Sequence, residues 1–474
     1  MLSLFGTLNL AARSMQNQMT GVEVSGQNLA NVNTVGYTRQ TVDIQTSPDI
    51  NTSIGSEGTG ADVVAIQQAV NQLLNTQIQG QQSTSGYWNA QQSALQSAQT
   101  SLNEFLNGTA SATSSTTGNS TTDTGLSGQL TAFFNAFQAV ATSPTSIPAR
   151  QALVSQAQTL ATTFNQINTQ LNNTKTAINT TLGNDVTSAN QLLSGIATLN
   201  KQIAVAQFSG GTPNDLLDER EQDLENLSQL ATIQTSTESN GAIDVSINGQ
   251  NLVTGSQVTD TLQTFDAGSG QILVQTVNGG VNVTDSGGSI QGSADARDNV
   301  LTGLQAGISN LASTLITQVN TIQNAGYSLT GSTGADFFTG FNSADIAVNQ
   351  AYVTNPSLVQ ASGSATATGD NSVALQLANL ATTAQSGLNN LTFESSFNSS
   401  VATLGDSLQT ANNQVSNQTA VSNMLSTQRS STSGVNIDEE MTNLMGFQRA
   451  YEASAQLVTT VNQMMQTVIA MKAA

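Results

Sequence analysis

The residues of this sequence whose type and spacing could do chemistry are carboxylates. Asp438, Glu439 and Glu440 stand side by side in SGVNIDEEM, and TPNDLLDERE carries Asp215, Asp218, Glu219 and Glu221. Two carboxyl groups can serve as general acid and base when they flank a reacting bond. Adjacent residues of a helix point to different faces, however, and no second carboxylate constellation or electrophile-binding loop accompanies them. Cys and His are both absent, which removes thiolate nucleophiles, imidazole acid-base catalysis and the thiolate or imidazole ligands of metal sites. No GxSxG, P-loop or HExxH motif occurs. The expectation is a protein that is not an enzyme, with no cofactor and no metal.

The same carboxylates have a structural use. Acidic residues in the first turns of a helix complement its macrodipole. Asp438, Glu439 and Glu440 would open a terminal helix, and Pro213 precedes a helix that Asn214 or Asp215 would cap. A charged contact to a neighbouring subunit through Asp218, Glu219 or Arg220 is the functional alternative.

The elements that flank these groups are amphipathic helices at the two chain ends. Leu8, Met15, Val22 and Leu29 recur every seven residues, widened by Leu4, Ala11, Ala12 and Met19. At the other end Leu444, Phe447, Tyr451, Val458, Val461, Met465 and Val468 follow 3-4 spacing, interrupted at Ser454, with Leu457, Met464 and Met471 alongside. Such stripes pair with each other, with a second copy, or with an ordinary core. Met, Gln and Ser in the seam make an isolated pair marginal in water, so the ends would order on assembly.

A chain of 474 residues has room for several domains. The net charge of −20, from 30 acidic and 10 basic residues, argues against a nucleic-acid or anionic-membrane partner. Only 8% of residues are charged, so the surface is largely Asn, Gln, Ser and Thr, and little repulsion opposes contact between copies. No run of 18 apolar residues exists, and the N-terminus lacks the basic and apolar regions of a cleavable secretory signal. Export, if it happens, would need a dedicated machine.

The first helix should stop near Asn31, where NLANVNTVGYTRQ brings Asn and Thr and where Gly36 can take a positive φ. Alternation then predicts a two-stranded β-excursion from about Tyr37 to Ile66. Helices are expected at roughly 67–107, 126–142, 147–182 and 184–207, with a loop at 108–124. Between 231 and 290 the period becomes two, with Ile243, Val245 and Ile247 on one face and a hairpin turn at Asn248-Gly249. Helix returns at 294–325, a strand is expected at 344–349, and long helices run from Ser372 to the end, broken at 430–436. The fold class is therefore mainly α with an inserted β domain. The expected divisions are 1–35 for the N-terminal helix, 36–230 helical with the β-excursion, 231–293 for the β domain, 294–434 helical again and 435–474 for the C-terminal helix.

Four segments carry a family resemblance. SGQNLANVNTVGYTRQ at 25–40 resembles the N-terminal motif of flagellar rod, hook and junction proteins, through Asn28, Leu29, Ala30, Asn31, Gly36 and Tyr37. GLSGQLTAFFNAFQAVATSPTSIPARQAL at 125–153, GGTPNDLLDEREQDLENLSQL at 210–230 and SGVNIDEEMTNLMGFQRAYEASAQLV at 433–458 are similar to stretches of the hook-associated protein 1 family, the first hook-filament junction proteins. The sequence departs from it at Gln323, where members often carry His. The resemblance implies an elongated multidomain axial protein whose end helices pair as a coiled coil and polymerise at the hook tip. It implies export to the outside of the cell without a cleavable signal, and as partners further copies of the chain, the hook protein, the second junction protein and a cytoplasmic export chaperone at the C-terminal helix. Membrane insertion and nucleic-acid binding are not expected. Another axial protein of hook or rod, or a secreted surface-binding protein with flagellar-type ends, is the alternative.

Overall fold

A computed structural model describes residues 4–52, 55–107, 125–268 and 270–473. The loop expected at 108–124 lies outside the described residues. Helix α1 (Leu4–Ala30) leads into the antiparallel pair β1 (Gln40–Thr46) and β4 (Ala61–Gln68), whose tip carries the short pair β2 (Ile50–Thr52) and β3 (Gly55–Glu57). Four helices follow: α2 (Gln72–Asn107), α3 (Leu126–Thr142), α4 (Ile147–Phe208) and α5 (Asn214–Leu230).

Helix α4 corrects one expectation, because it runs without a break through Gly183. A single glycine in a helix interior costs about 1 kcal/mol. Leu182 and Val186 on either side are buried, and their burial offsets that cost. The expected cap of α5 is also different. Pro213 occupies the cap position without a side-chain bond, and Asn214 instead donates to the Ile66 carbonyl at 3.0 Å. The side chain that local pattern assigns to a cap is recruited by a tertiary partner.

The β region comprises β5 (Gln234–Thr237), β6 (Ile243–Ile247), β7 (Gln250–Thr254) and β8 (Gln257–Val258) in one antiparallel sheet, and β9 (Leu262–Asp266) paired with β10 (Ile272–Thr276). Asn248 and Gly249 turn β6 into β7 with φ of 49° and 79°, the positive values a two-residue hairpin requires. Val245 and Ile247 are buried against Leu182 to Ala197 of α4 and against Leu224 and Leu227 of α5. The sheet thus completes its core with helices from outside 231–293.

The chain returns through α6 (Gly288–Asp295), a π-helical turn at Ala296–Leu301 and α7 (Thr302–Asn324). The extra residue of that turn accompanies Arg297, which is buried and donates to Asn179 and to the Ile272 carbonyl, both at 2.6 Å, and to Asp298. The strand expected at 344–349 is reduced to β12 (Ala347–Val348), paired with β11 (Phe338–Thr339). Then come α8 (Gln350–Thr354), α9 (Ser372–Asn379), α10 (Phe393–Ser433) and α11 (Ile437–Ala473).

The larger core lies among α2, α3, α4, α7, α9 and α10. Its centre is aromatic. Phe133 stacks edge-on against Phe137 with ring centres 5.1 Å apart, and Phe337 likewise against Phe338 at 5.0 Å. Burial of each ring stabilises by about 2–3 kcal/mol. Arg150 is enclosed in the same region and donates from Nε to the Pro144 carbonyl at 2.9 Å and from Nη1 to that of Val359. Burial lowers its pKa to about 10.

Candidate assembly surface: the terminal helix pair and its polar joint

Helices α1 and α11, from opposite ends of the chain, pack side by side. Two contacts fix their direction and register. The hydroxyls of Ser14 and Ser454 are 2.9 Å apart, and Gly21 lies against Phe447, where an added Cβ would stand 2.7 Å from the ring. Seven residues forward on α1 match seven backward on α11, so the helices are antiparallel with heptad spacing. Gly21 is the hole for the Phe447 knob. Ser454, the polar interruption of the C-terminal stripe, is answered by Ser14.

Leu8, Met15, Val22 and Leu29 are half-buried, as are Leu444, Phe447, Val458 and Met465; Val461 is enclosed at 3% exposure. Tyr451 and Val468 are exposed. The deeply buried positions of α1 are others: Ala11, Asn17, Gly21, Val24, Ser25 and Asn28. The apolar period of α1 marks one edge of the pair, because β1 and β4 claim another face. Asn17 donates to the Ala61 carbonyl at 2.6 Å, and Arg13 meets Asp62 at 3.3 Å. Phe5 and Met19 are left exposed at 68% and 55%, together with Met464, Ile469 and Met471 on α11.

The pair is held to the rest of the molecule by a joint of polar side chains. Asn28 accepts from the Tyr37 hydroxyl and from the Gln40 amide, both at 2.9 Å, and donates back to the Gln40 carbonyl at 2.8 Å. Gly36 makes the turn between them with φ of +82°, a value that disfavours other residues. Leu29 is half-buried, Ala30 exposed, and Asn31 accepts from Thr34 at 3.1 Å.

Arg39 then joins the two chain ends. Its Nε donates to Glu440 and its Nη2 to Glu439, each at 2.8 Å, while its backbone N–H donates to the Ser433 carbonyl. The carboxylates that open α11 are therefore ligands for an arginine some 400 residues away. Helix α5 supplies the third side. Asp218 accepts from the Thr38 N–H at 2.9 Å and from Gln68 at 2.8 Å, Asp215 from Gln40 at 3.2 Å, and Glu221 from Gln79 at 3.0 Å. Glu225 pairs with Arg429 of α10. Arg220 is buried and donates to Asn200 at 2.9 Å and to the Gly241 carbonyl at 2.7 Å, so it ties α5 to α4 and the β region. Of the three residues named for a subunit contact, Arg220 is thus enclosed within its own chain, Asp218 is partly buried and Glu219 is exposed.

Burial, followed by the charges of Asp215, Asp218 and Glu440, raises the Tyr37 hydroxyl to about 12, so it remains a donor to Asn28. Burial also raises Asp218, Glu221 and Glu225 above the ordinary carboxyl range, and lowers Arg220 to about 10. The arrangement sets an angle between elements. Among the described residues no group of three or more His, Cys, Asp or Glu could hold a metal ion, and no helix is long and apolar enough to cross a membrane.

Sequence reading does not find Arg39, Gln68 or Arg429 as joint residues, nor Ser14 and Gly21 as seam residues. The usable signal is scarcity: with ten cations in the chain, an arginine directly after a glycine turn merits attention.

Comparison with known proteins gives a consistent picture. The model of the flagellar hook-associated protein FlgK helical domain matches residues 115–338, and that of the flagellar basal body rod FlgEFG protein C-terminal region matches 426–471. The flagellar hook-associated protein 1 of Bacillus subtilis is 28% identical over 99% of this chain and 98% of its own length. The protein of the same name from Salmonella typhimurium is 24% identical over 98% and 99%. The structure of the flagellar hook junction protein FlgK from Burkholderia pseudomallei superposes with a TM-score of 0.61 at 17% identity, covering 75% of this chain and 100% of that one. At that identity it speaks for the fold alone.

Proposed function

Because the chain belongs to the flagellar hook-associated protein 1 (FlgK) family, a family of structural flagellar proteins, we propose that it is the adaptor between hook and filament and that it polymerises through its terminal helices. One observation carries this reading. Three of the segments that resemble the family, at 25–40, 210–230 and 433–458, meet at a single polar joint, and from that joint extends a helix pair whose apolar flank is only partly covered. A joint of hydrogen bonds fixes the direction of the pair. The uncovered flank supplies the apolar area that further copies would bury. Leu8, Met15, Val22 and Leu29 at one end and Leu444, Tyr451, Val461, Met465 and Val468 at the other are the residues assigned to the pairing and packing of these helices, the enclosed Val461 within the pair itself.

Export to the outside of the cell, and shielding of residues 440–474 by a cytoplasmic chaperone that takes an amphipathic helix into a groove, complete the proposal. The hook protein and the second junction protein are its neighbours in the assembled flagellum.

The test is electron microscopy of flagella from cells lacking the gene, with an assay for flagellin shed into the medium. Completed hooks without filaments support the adaptor. Missing hooks would move the assignment to hook or rod, and normal filaments would overturn it. Complementation with Val461→Asp should leave the central helices folded and abolish incorporation; normal incorporation would remove the terminal helices from the mechanism.

A further inference from the structure

Among the described residues, two cations have no hydrogen-bond or ion-pair partner, Lys201 and Arg449. Lys201 stands on the last turns of α4 with Val205 and Phe208 at i+4 and i+7, so the three share one face. That face is open: Val205 is 62% exposed and Phe208 is 96% exposed. An aromatic ring left in water beside an unpaired ammonium has the composition of an interface anchor. It also lies away from α5, since Asn200 meets Arg220 and Gly195 backs onto Asp223 on a different side of α4.

The complementary feature is on the same molecule. A cleft of about 340 Å³ lies between the turn at 31–37 and the first half of α5. Val35 stands at its rim, 91% exposed. Glu219 and Asp223 line it one helical turn apart, and neither accepts a hydrogen bond or an ion pair among the described residues. Like charges at that spacing destabilise a helix by a few tenths of a kcal/mol. Burial, and then the neighbouring Glu219 charge, raises the Asp223 carboxyl. The cleft thus lacks a cation and offers an apolar rim.

We propose that a second copy of this chain fills it: Lys201 of one copy pairs with Glu219 and Asp223 of the next, while Val205 and Phe208 pack against Val35. This rests on the proposed polymerisation and deepens it. Knob and cleft are different surfaces, so the contact is head-to-tail and continues from copy to copy instead of closing on a dimer. It is too small to hold two free chains together, since stable interfaces bury about 1,200 Å² or more. It acts once the terminal helices have raised the local concentration, and there it sets the rotation between neighbours. In a chain of net charge −20, an unpaired lysine aimed at unpaired carboxylates also relieves repulsion between copies.

The chain has no cysteine, so Val35→Cys with Phe208→Cys gives a unique pair for a short bis-maleimide. Flagella isolated from cells carrying this variant should yield a ladder of cross-linked multimers. An incorporated variant that remains monomeric, or stops at dimers, overturns the contact. Should the cysteine variant fail to incorporate, charge reversal decides. Lys201→Glu should lower incorporation about fivefold, and adding Glu219→Lys should restore it; unchanged incorporation of the first, or no rescue by the second, overturns the contact equally. Antibody labelling of the wild-type chain in the same flagella separates the two proposals, because its absence there would refute polymerisation itself.

Discussion

In the helical body, Phe133, Phe137, Phe337 and Phe338 touch one another and are almost fully enclosed, whereas on α11 of the terminal pair the enclosed side chains among the described residues are Val461 and the carboxylate Glu440 of the joint. The body is held by area, the pair by register and by its joint. Apolar burial is non-directional and tolerates adjustment, while the hydrogen bonds of Arg39, Asn28 and Asp218 hold only at one geometry. A body that must stay folded by itself suits the first. An arm that must present one face suits the second.

The difference can be sharpened by substitution, and the largest effect is expected in the body. Phe133→Ala should destabilise the central region by about 3–5 kcal/mol, read as a lower thermal midpoint by circular dichroism. Gly21→Leu should do the reverse: the side chain has no room beside Phe447, so α1 and α11 separate and both ends become protease-sensitive. The fluorescence of Trp88, the one tryptophan, which sits on α2, should not change. A shifted Trp88 signal would show that pair and body are one cooperative unit.

A smaller effect is expected at the joint. Arg39→Met removes the bonds to Glu439 and Glu440 and leaves the enclosed Glu440 carboxylate unpaired, a loss of about 1–2 kcal/mol. Hydrogen exchange should rise in the first turns of α11 and not in α3.

The smallest effect is the response to pH. Asp218, Glu221 and Glu225 have folded values raised by burial, so their stabilising contribution is complete below the ordinary carboxyl range of about 4 and is lost as pH rises through the raised values. Moving from neutral to mildly acidic pH should therefore slow exchange at the Thr38 amide, once intrinsic rates are corrected. Glu221→Gln, which keeps an acceptor for Gln79, should remove part of that pH dependence. An opposite sign would mean that the buried carboxyls of α5 do not govern the joint.

What was legible in the sequence was local. The positive-φ turn at Asn248-Gly249, the span of α3 and the helices at both ends depend on residues within a few positions of each other, and the structure has them. The absence of Cys and His likewise bounded the chemistry before any fold was known. Tertiary structure decided which partner each local feature received. The period of α1 identified an apolar stripe but not that hairpin β1–β4 would take a neighbouring face and leave the stripe half-covered. Asn214 looked like a cap and bonds to Ile66, and Gly183 looked like a break but lies between buried neighbours that hold the helix through it. Glu439 and Glu440 looked like dipole partners, and they receive Arg39 from the other end of the chain. Hydrophobic period and backbone preference are properties of short segments, whereas the partner of a polar group is chosen by whatever the folded chain brings within three ångströms of it.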